Sequence, residues 1–177
     1  MFLCLLLGKI SFAQTLKERQ ILWTADWSPD GKFIAVGGNT DTLKIINGKD
    51  LKVIKTFFIS KTITRVKWHP KKYLLAITTQ MSISHSCIIN LETNERIDLL
   101  GVSMDGARGI DWNTKGDYLV VADNDGQILI FNLKGDLIRK FNSENSKSIT
   151  AIEWHPQLDI LTCVGDKYVF ITCKVLY

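Results

Sequence analysis

Apolar residues along the chain gather into short runs separated by polar or glycine-bearing turns. The first four runs cover residues 21–27, 33–37, 43–46 and 53–58, and a later set covers 107–112, 118–122, 128–131 and 137–141. β-Branched and aromatic side chains fill these runs, and pairs such as Asp30-Gly31, Asn47-Gly48 and Asp125-Gly126 punctuate them. No longer stretch carries the apolar period of an amphipathic helix, so the pattern predicts an all-β chain with few helices. Two runs, Tyr73-Leu74-Leu75-Ala76-Ile77 and Tyr118-Leu119-Val120-Val121, are apolar at consecutive positions. Sheets built from them need cover on both faces.

The pattern repeats. Four of the five tryptophans stand in one setting: Ala25-Asp26-Trp27-Ser28-Pro29, Val66-Lys67-Trp68-His69-Pro70, Ile110-Asp111-Trp112-Asn113-Thr114 and Ile152-Glu153-Trp154-His155-Pro156. They lie 41, 44 and 42 residues apart. A second marker keeps step, with Ile46-Asn47, Ile89-Asn90 and Phe131-Asn132 separated by 43 and 42 residues. Each period holds four strand-like runs, which divides the chain into units of about 20–60, 61–104, 105–145 and 146–177. A lone four-stranded sheet cannot bury both faces, whereas sheets stacked radially as a β-propeller can.

The stretch from Ala25 to Gly38, ADWSPDGKFIAVGG, resembles the first half of a WD40 repeat, and DNDGQILIFN from Asp123 to Asn132 resembles the second half. The similarity runs over roughly residues 20–173. It implies a WD40-like propeller of about four four-stranded antiparallel blades. Such propellers usually close with seven, so the chain is expected to form an open part of a larger ring, with a closed four-blade ring as the alternative. The resemblance is that of a divergent member: the Trp-Asp pair of the family is Ile-Asn or Phe-Asn here, and the Gly-His pair is missing from every unit. The aspartates that partner the absent histidine are matched to Asp125 and Asp166, with Asp41 displaced by one residue, so the blades should lean on apolar packing. Together with Trp27, Trp68, Trp112, Trp154, Asn47, Asn90 and Asn132, these two aspartates serve as structural repeat markers. An open arc would leave apolar faces on its end blades, which predicts self-association.

At the N-terminus, residues 1–13 read as a secretory signal peptide: an apolar run over residues 2–7, then Ser11-Phe12-Ala13 as a cleavage site. That places the chain outside the cell or in a periplasm, with residues 14–177 as the mature propeller segment. The alternative is a cytoplasmic chain that keeps Met1, since no cationic residue precedes the apolar run. The run is too short to span a membrane. Apolar residues at 46% exclude intrinsic disorder, and a formal charge of +4 does not by itself call for nucleic acid. Four cysteines, at positions 4, 87, 163 and 173, show no C-x-x-C spacing. The last three sit in apolar runs, where buried thiols are expected and a Cys163–Cys173 bridge is the alternative in an exported chain.

Candidate chemistry is sparse. His69 and His155 occupy equivalent Trp-His-Pro turns, which suits a turn-filling role better than metal ligation, and His85 falls in a polar insertion over residues 78–86. Asp123 and Asp125 belong to a hairpin turn. Nucleophile motifs and phosphate loops are absent, so no catalysis, metal or cofactor is expected. Residues 49–72 carry eight basic groups against Asp50 alone, without the interleaved aromatics that base stacking requires. The residues before the repeat tryptophans, Asp26, Lys67, Asp111 and Glu153, should meet near one mouth of the channel, with Lys67 pairing across blades. At the opposite rim, Trp23, Arg65 and Arg108 are the candidate partner-binding residues, because Trp and Arg dominate binding hot spots. The implied function is a non-catalytic scaffold that binds protein or peptide. The alternative is an accessory propeller of a larger secreted or periplasmic enzyme or transport assembly.

Overall fold

In the computed structural model each apolar run becomes a strand. The residues described are 20–59, 62–80, 86–143, 148–166 and, for the backbone, 171–174. The leader read at residues 1–13, and His85, lie outside them. The first sheet comprises β1 (Leu22–Trp27), β2 (Phe33–Gly38), β3 (Thr42–Asn47) and β4 (Val53–Phe58). The second comprises β5 (Ile63–Trp68), β6 (Leu74–Thr79), β7 (Cys87–Asn90) and β8 (Arg96–Asp98). The third holds β9 (Ala107–Trp112), β10 (Tyr118–Asp123), β11 (Gln127–Asn132) and β12 (Leu137–Asn142). The fourth, among the described residues, holds β13 (Ile149–Trp154), β14 (Ile160–Gly165) and β15 (Ile171–Lys174). Within every sheet the strands follow chain order and pair antiparallel.

The four first strands form the hub, β1 beside β5, β5 beside β9 and β9 beside β13. Three apolar seams separate the blades. Leu43, Ile45 and Ile63 belong to the first, Ala76, Ile88 and Leu129 to the second, Val120, Ile130 and Ile152 to the third. The doubly apolar runs therefore face a seam on each side, which is the cover their sequence demands. Gly37 and Gly109 allow this closeness, since a Cβ on Gly37 would lie 2.6 Å from Ile63, and one on Gly109 would lie 2.9 Å from Ala122 and 3.0 Å from Ile152.

The repeat tryptophans fill the seams. Trp68, Trp112 and Trp154 are at most 6% exposed, while Trp27 is 52% exposed because blade one has no blade before it among the described residues. Leu22, Val53, Ile54 and Phe58 lie exposed with it. On blade four, Leu161 and Cys163 pack inward while Thr162 between them is exposed. Among the described residues the arc is open at both flanks.

The second marker has a local cause. Asn47 Oδ1 accepts the backbone N–H groups of Lys49 and Asp50, Asn90 Oδ1 those of Glu92 and Thr93, and Asn132 Oδ1 those of Lys134 and Asp136. Each asparagine thus folds the turn into the fourth strand. Asp125 accepts a 2.6 Å hydrogen bond from the Ser103 hydroxyl, and the neighbouring Asp123, fully buried, accepts the amides of Ser103, Asp125 and Gln127. The Asp166 N–H donates to Ser148 O as Asn124 N–H donates to Gly106 O, so Asp166 lines up with Asn124, one position before Asp125.

The polar insertion is shorter than its composition suggested. Thr78 and Thr79 belong to β6 and are buried, as is Ser86. Thr78 tolerates burial because its hydroxyl donates a 2.9 Å hydrogen bond to Thr64 Oγ1, whose own proton goes to Ala107 O. Cys87 is a buried free thiol whose pKa burial pushes up to about 12, which leaves it unreactive. The register sets Cys163 opposite Ile171 and Cys173 opposite Leu161.

Candidate functional site

Each hub strand carries one irregularity, at the same place. Between Leu22 and Thr24, Ile63 and Arg65, Ala107 and Gly109, and Ile149 and Ala151 the register slips by one residue against the second strand. The extra residues are Trp23, Thr64, Arg108 and Thr150. A bulge bends the strand and re-aims its side chain, and here four bulges ring the mouth where the hub strands begin. Thr64 turns inward, donating its hydroxyl to Ala107 O of the next blade. Trp23 and Arg108 turn outward.

A cleft of about 330 Å³ runs along the hub strands and is lined by residues from all four blades. A second hollow, of about 260 Å³, opens at the mouth between Trp23, Thr64, Arg65, Gln80 and Arg108. Trp23, Arg65 and Arg108, expected at one rim, thus line the same hollow. Trp23 is 44% exposed and therefore not a core residue. Among the described residues neither arginine has a carboxylate within ion-pair distance. Thr64 and Gln80, which sequence patterning did not single out, complete the lining.

Deeper along the channel the hub carries its own charge network. The Asp26 carboxylate accepts the Trp68 N–H at 2.7 Å, and Asp111 accepts the Trp154 N–H at 2.8 Å. Lys67 stands at the equivalent place in blade two, and its side chain has no oxygen to offer the backbone amide of Trp112. Its Nζ instead reaches Asp111 at 3.2 Å and Glu153 at 4.0 Å. The cross-blade pairing of Lys67 is therefore made with Asp111, while Asp26 is taken up by a backbone amide. Burial raises the pKa of Asp26 and of Glu153, with Asp111 adding to the effect on both. For Lys67 burial opposes the charge, but Asp111 and Glu153 outweigh it and the pKa is raised.

The indoles add direct clasps. Trp68 Nε1 donates to Asp26 O and Trp112 Nε1 to Lys67 O, each at 3.1 Å. Trp154 Nε1 is buried without an acceptor among the described residues. At the far rim, His69 is 1% exposed, its Nε2 lies 2.9 Å from Gly116 O in blade three, and its Nδ1 accepts the amides of Lys71 and Lys72. His155 repeats the turn through the amides of Gln157 and Leu158 but is exposed. Both histidines hold turns. Among the described residues no group of three or more His, Cys, Asp or Glu is arranged to hold a metal ion, and no helix is long and apolar enough to cross a membrane.

Four-stranded leaves around a shared hub, each closed against the last by a tryptophan, define a propeller of the WD40 class. The family described as the anaphase-promoting complex subunit 4 WD40 domain matches residues 12–71 and 66–157, most of the chain, and the protein belongs to that WD40 family. Among curated relatives, eukaryotic translation initiation factor 3 subunit I of Botryotinia fuckeliana is 26% identical over 151 residues, covering 76% of this chain and 44% of its own length. The B-type cell cycle switch protein ccs52B of Medicago truncatula is 22% identical over 143 residues, covering 80% and 29%. The chain spans less than half the length of these relatives. Among solved structures, the Cps50 (Swd1) β-propeller domain of Myceliophteria thermophila superposes with a TM-score of 0.76 at 14% identity, over 86% of this chain and 52% of that one. This likeness shows the fold.

Proposed function

We propose that the chain is a non-catalytic binding scaffold, and that the mouth of its hub holds a protein or peptide segment. The observation that carries this reading is the meeting of Trp23, Arg65 and Arg108 in one exposed hollow, set there by strand bulges. Aromatic and guanidinium groups give large contact area and directional hydrogen bonds, which is why they dominate interface energetics. Two matched names, an anaphase-promoting complex subunit and an initiation factor subunit, describe components of assemblies and support the same role for this chain. They also favour the intracellular setting over the exported one. The accessory propeller of a secreted enzyme draws no support from them. The exposed apolar flank of blade one (Trp27, Leu22, Phe58) supports self-association as a second kind of contact.

A photo-crosslinking residue placed at position 23 or 108, with position 140 on β12 as control, tests the cleft. Protein adducts in an extract should concentrate at the two cleft positions. Equal labelling at all three positions would set the reading aside.

A further inference from the structure

Among the described residues the charged groups lining the hollow at the mouth are both cationic, whereas the channel below carries mostly carboxylates. Arg65 and Arg108 reach the same hollow from adjacent blades, both exposed, with neutral Trp23, Thr64 and Gln80 as the remaining lining. No carboxylate of the described chain comes within ion-pair distance of either guanidinium. Four other cations of the described chain are paired, Lys32 with Asp30, Lys52 with Asp50, Lys67 with Asp111 and Arg96 with Asp98; what sets Arg65 and Arg108 apart is that two unpaired guanidiniums share one hollow. Two unneutralised guanidiniums in one concavity repel each other and attract an anion that bridges them, by the forked geometry that suits carboxylate and phosphate alike. Two residues further along the hub, Asp26, Asp111 and Glu153 outnumber Lys67.

Resting on the peptide-binding reading above, we propose that the Arg65–Arg108 hollow recognises a single anionic group, carboxylate or phosphate, carried on a peptide whose neighbouring residue entering the channel is neutral or basic. The charge reversal along the channel favours a peptide over nucleic acid. A polyphosphate strand drawn inward from the arginines would meet three carboxylates, and the hollow offers one aromatic plane where single-strand binders use several. The Trp23 ring supplies an apolar wall beside the anion, where it lowers the local dielectric and strengthens the pairing.

Short peptide libraries, degenerate except at a fixed central residue (Asp, phosphoserine, Ser or Lys), are passed over the immobilised full chain. The anionic libraries should be retained about tenfold over the Ser library, the loss expected when a charge-assisted pair is missing. Comparing the Asp and phosphoserine arms distinguishes carboxylate from phosphate, and preference for either supports the inference. Arg65→Gln and Arg108→Gln should each erase the preference, Arg→Lys at either position should keep part of it, and Lys140→Gln should leave it intact. Both arginines are exposed, so unchanged melting curves are the check that the variants fold. Fixing a second Asp beside the first should weaken retention. Retention without anion preference would overturn the charge assignment and leave the scaffold reading standing. So would a failure of every library while crosslinked adducts still form at positions 23 and 108. Loss of both library binding and adducts would remove both readings. Labelled oligouridine bound more tightly than the acidic library, and released by the same Gln variants, would overturn the peptide in favour of RNA.

Discussion

His69 ties a turn of blade two to a turn of blade three. Its Nδ1 accepts two amides and its Nε2–H meets Gly116 O, so the ring must be neutral to make all three contacts. Gly116 lies close beneath it with φ +82°, where a side chain would both strain the backbone and strike the imidazole. Burial lowers the His69 pKa, with Lys72 and Lys71 adding to the effect. The folded protein therefore resists protonation more than the unfolded chain does. The stability this group contributes is whole above the unfolded value of about 6.5 and is lost as pH falls through the lower folded value. Thermal melts from neutral to acid should show the parent losing stability below about pH 6.5, and His69→Gln losing less across that window. A parent-to-variant difference independent of pH would refute this. At neutral pH the loss of three contacts in His69→Ala is expected to cost about 2 kcal/mol by denaturant titration. Lys67 is the other residue whose charge matters. Lys67→Glu would place four carboxylates together at the hub, and a loss of about 1–3 kcal/mol, partly recovered in high salt, is expected. An unchanged melting temperature would mean the hub charges act independently.

Strands and turns were the part most open to reading in advance. The runs anticipated at 33–37, 53–58, 107–112 and 137–141 became β2, β4, β9 and β12 within a residue at either end, because β-branched density and Gly or Asn punctuation are local properties. The tryptophan period carried the blade count for a similar reason: one indole per seam is a packing requirement that every unit must meet. The bulges were not legible. Nothing in Leu22-Trp23-Thr24 or Ala107-Arg108-Gly109 marks an extra residue, since the slip is defined only against the second strand. Nor did the sequence show that Asp26 would bind an amide rather than Lys67, a choice made by distances across a seam. Gly109 shows how tightly the elements are set. Gly109→Val would press its side chain into Ala122 and Ile152, and opening that seam should cost about 1–3 kcal/mol. Near-UV circular dichroism should report the disturbance through the neighbouring Trp154. A variant as stable as the parent would show that the third seam has slack.

Among the described residues the molecule is an arc whose blade-one flank is apolar and uncovered. Trp27, Leu22, Val53, Ile54 and Phe58 present a surface of the kind the other blades bury. Sedimentation of the isolated chain should show concentration-dependent association, and Leu22→Glu combined with Phe58→Glu should shift it to monomer. A parent that stays monomeric at high concentration would show that the flank is not an interface for a second copy.

Nearly every tie across a seam joins a residue to one about a repeat later: Thr24 to Val66, Asp26 to Trp68, Lys67 to Trp112, His69 to Gly116, Asp111 to Trp154, Thr114 to Pro156. The contact between Lys67 and Glu153, two blades apart, is the late exception. A ribosome making this chain therefore waits for a distant partner only at that one contact among the ties named. Each leaf is latched as the next one emerges, so beyond the standing flank of blade one the nascent polypeptide carries one moving greasy edge, and that edge is where a chaperone would be needed.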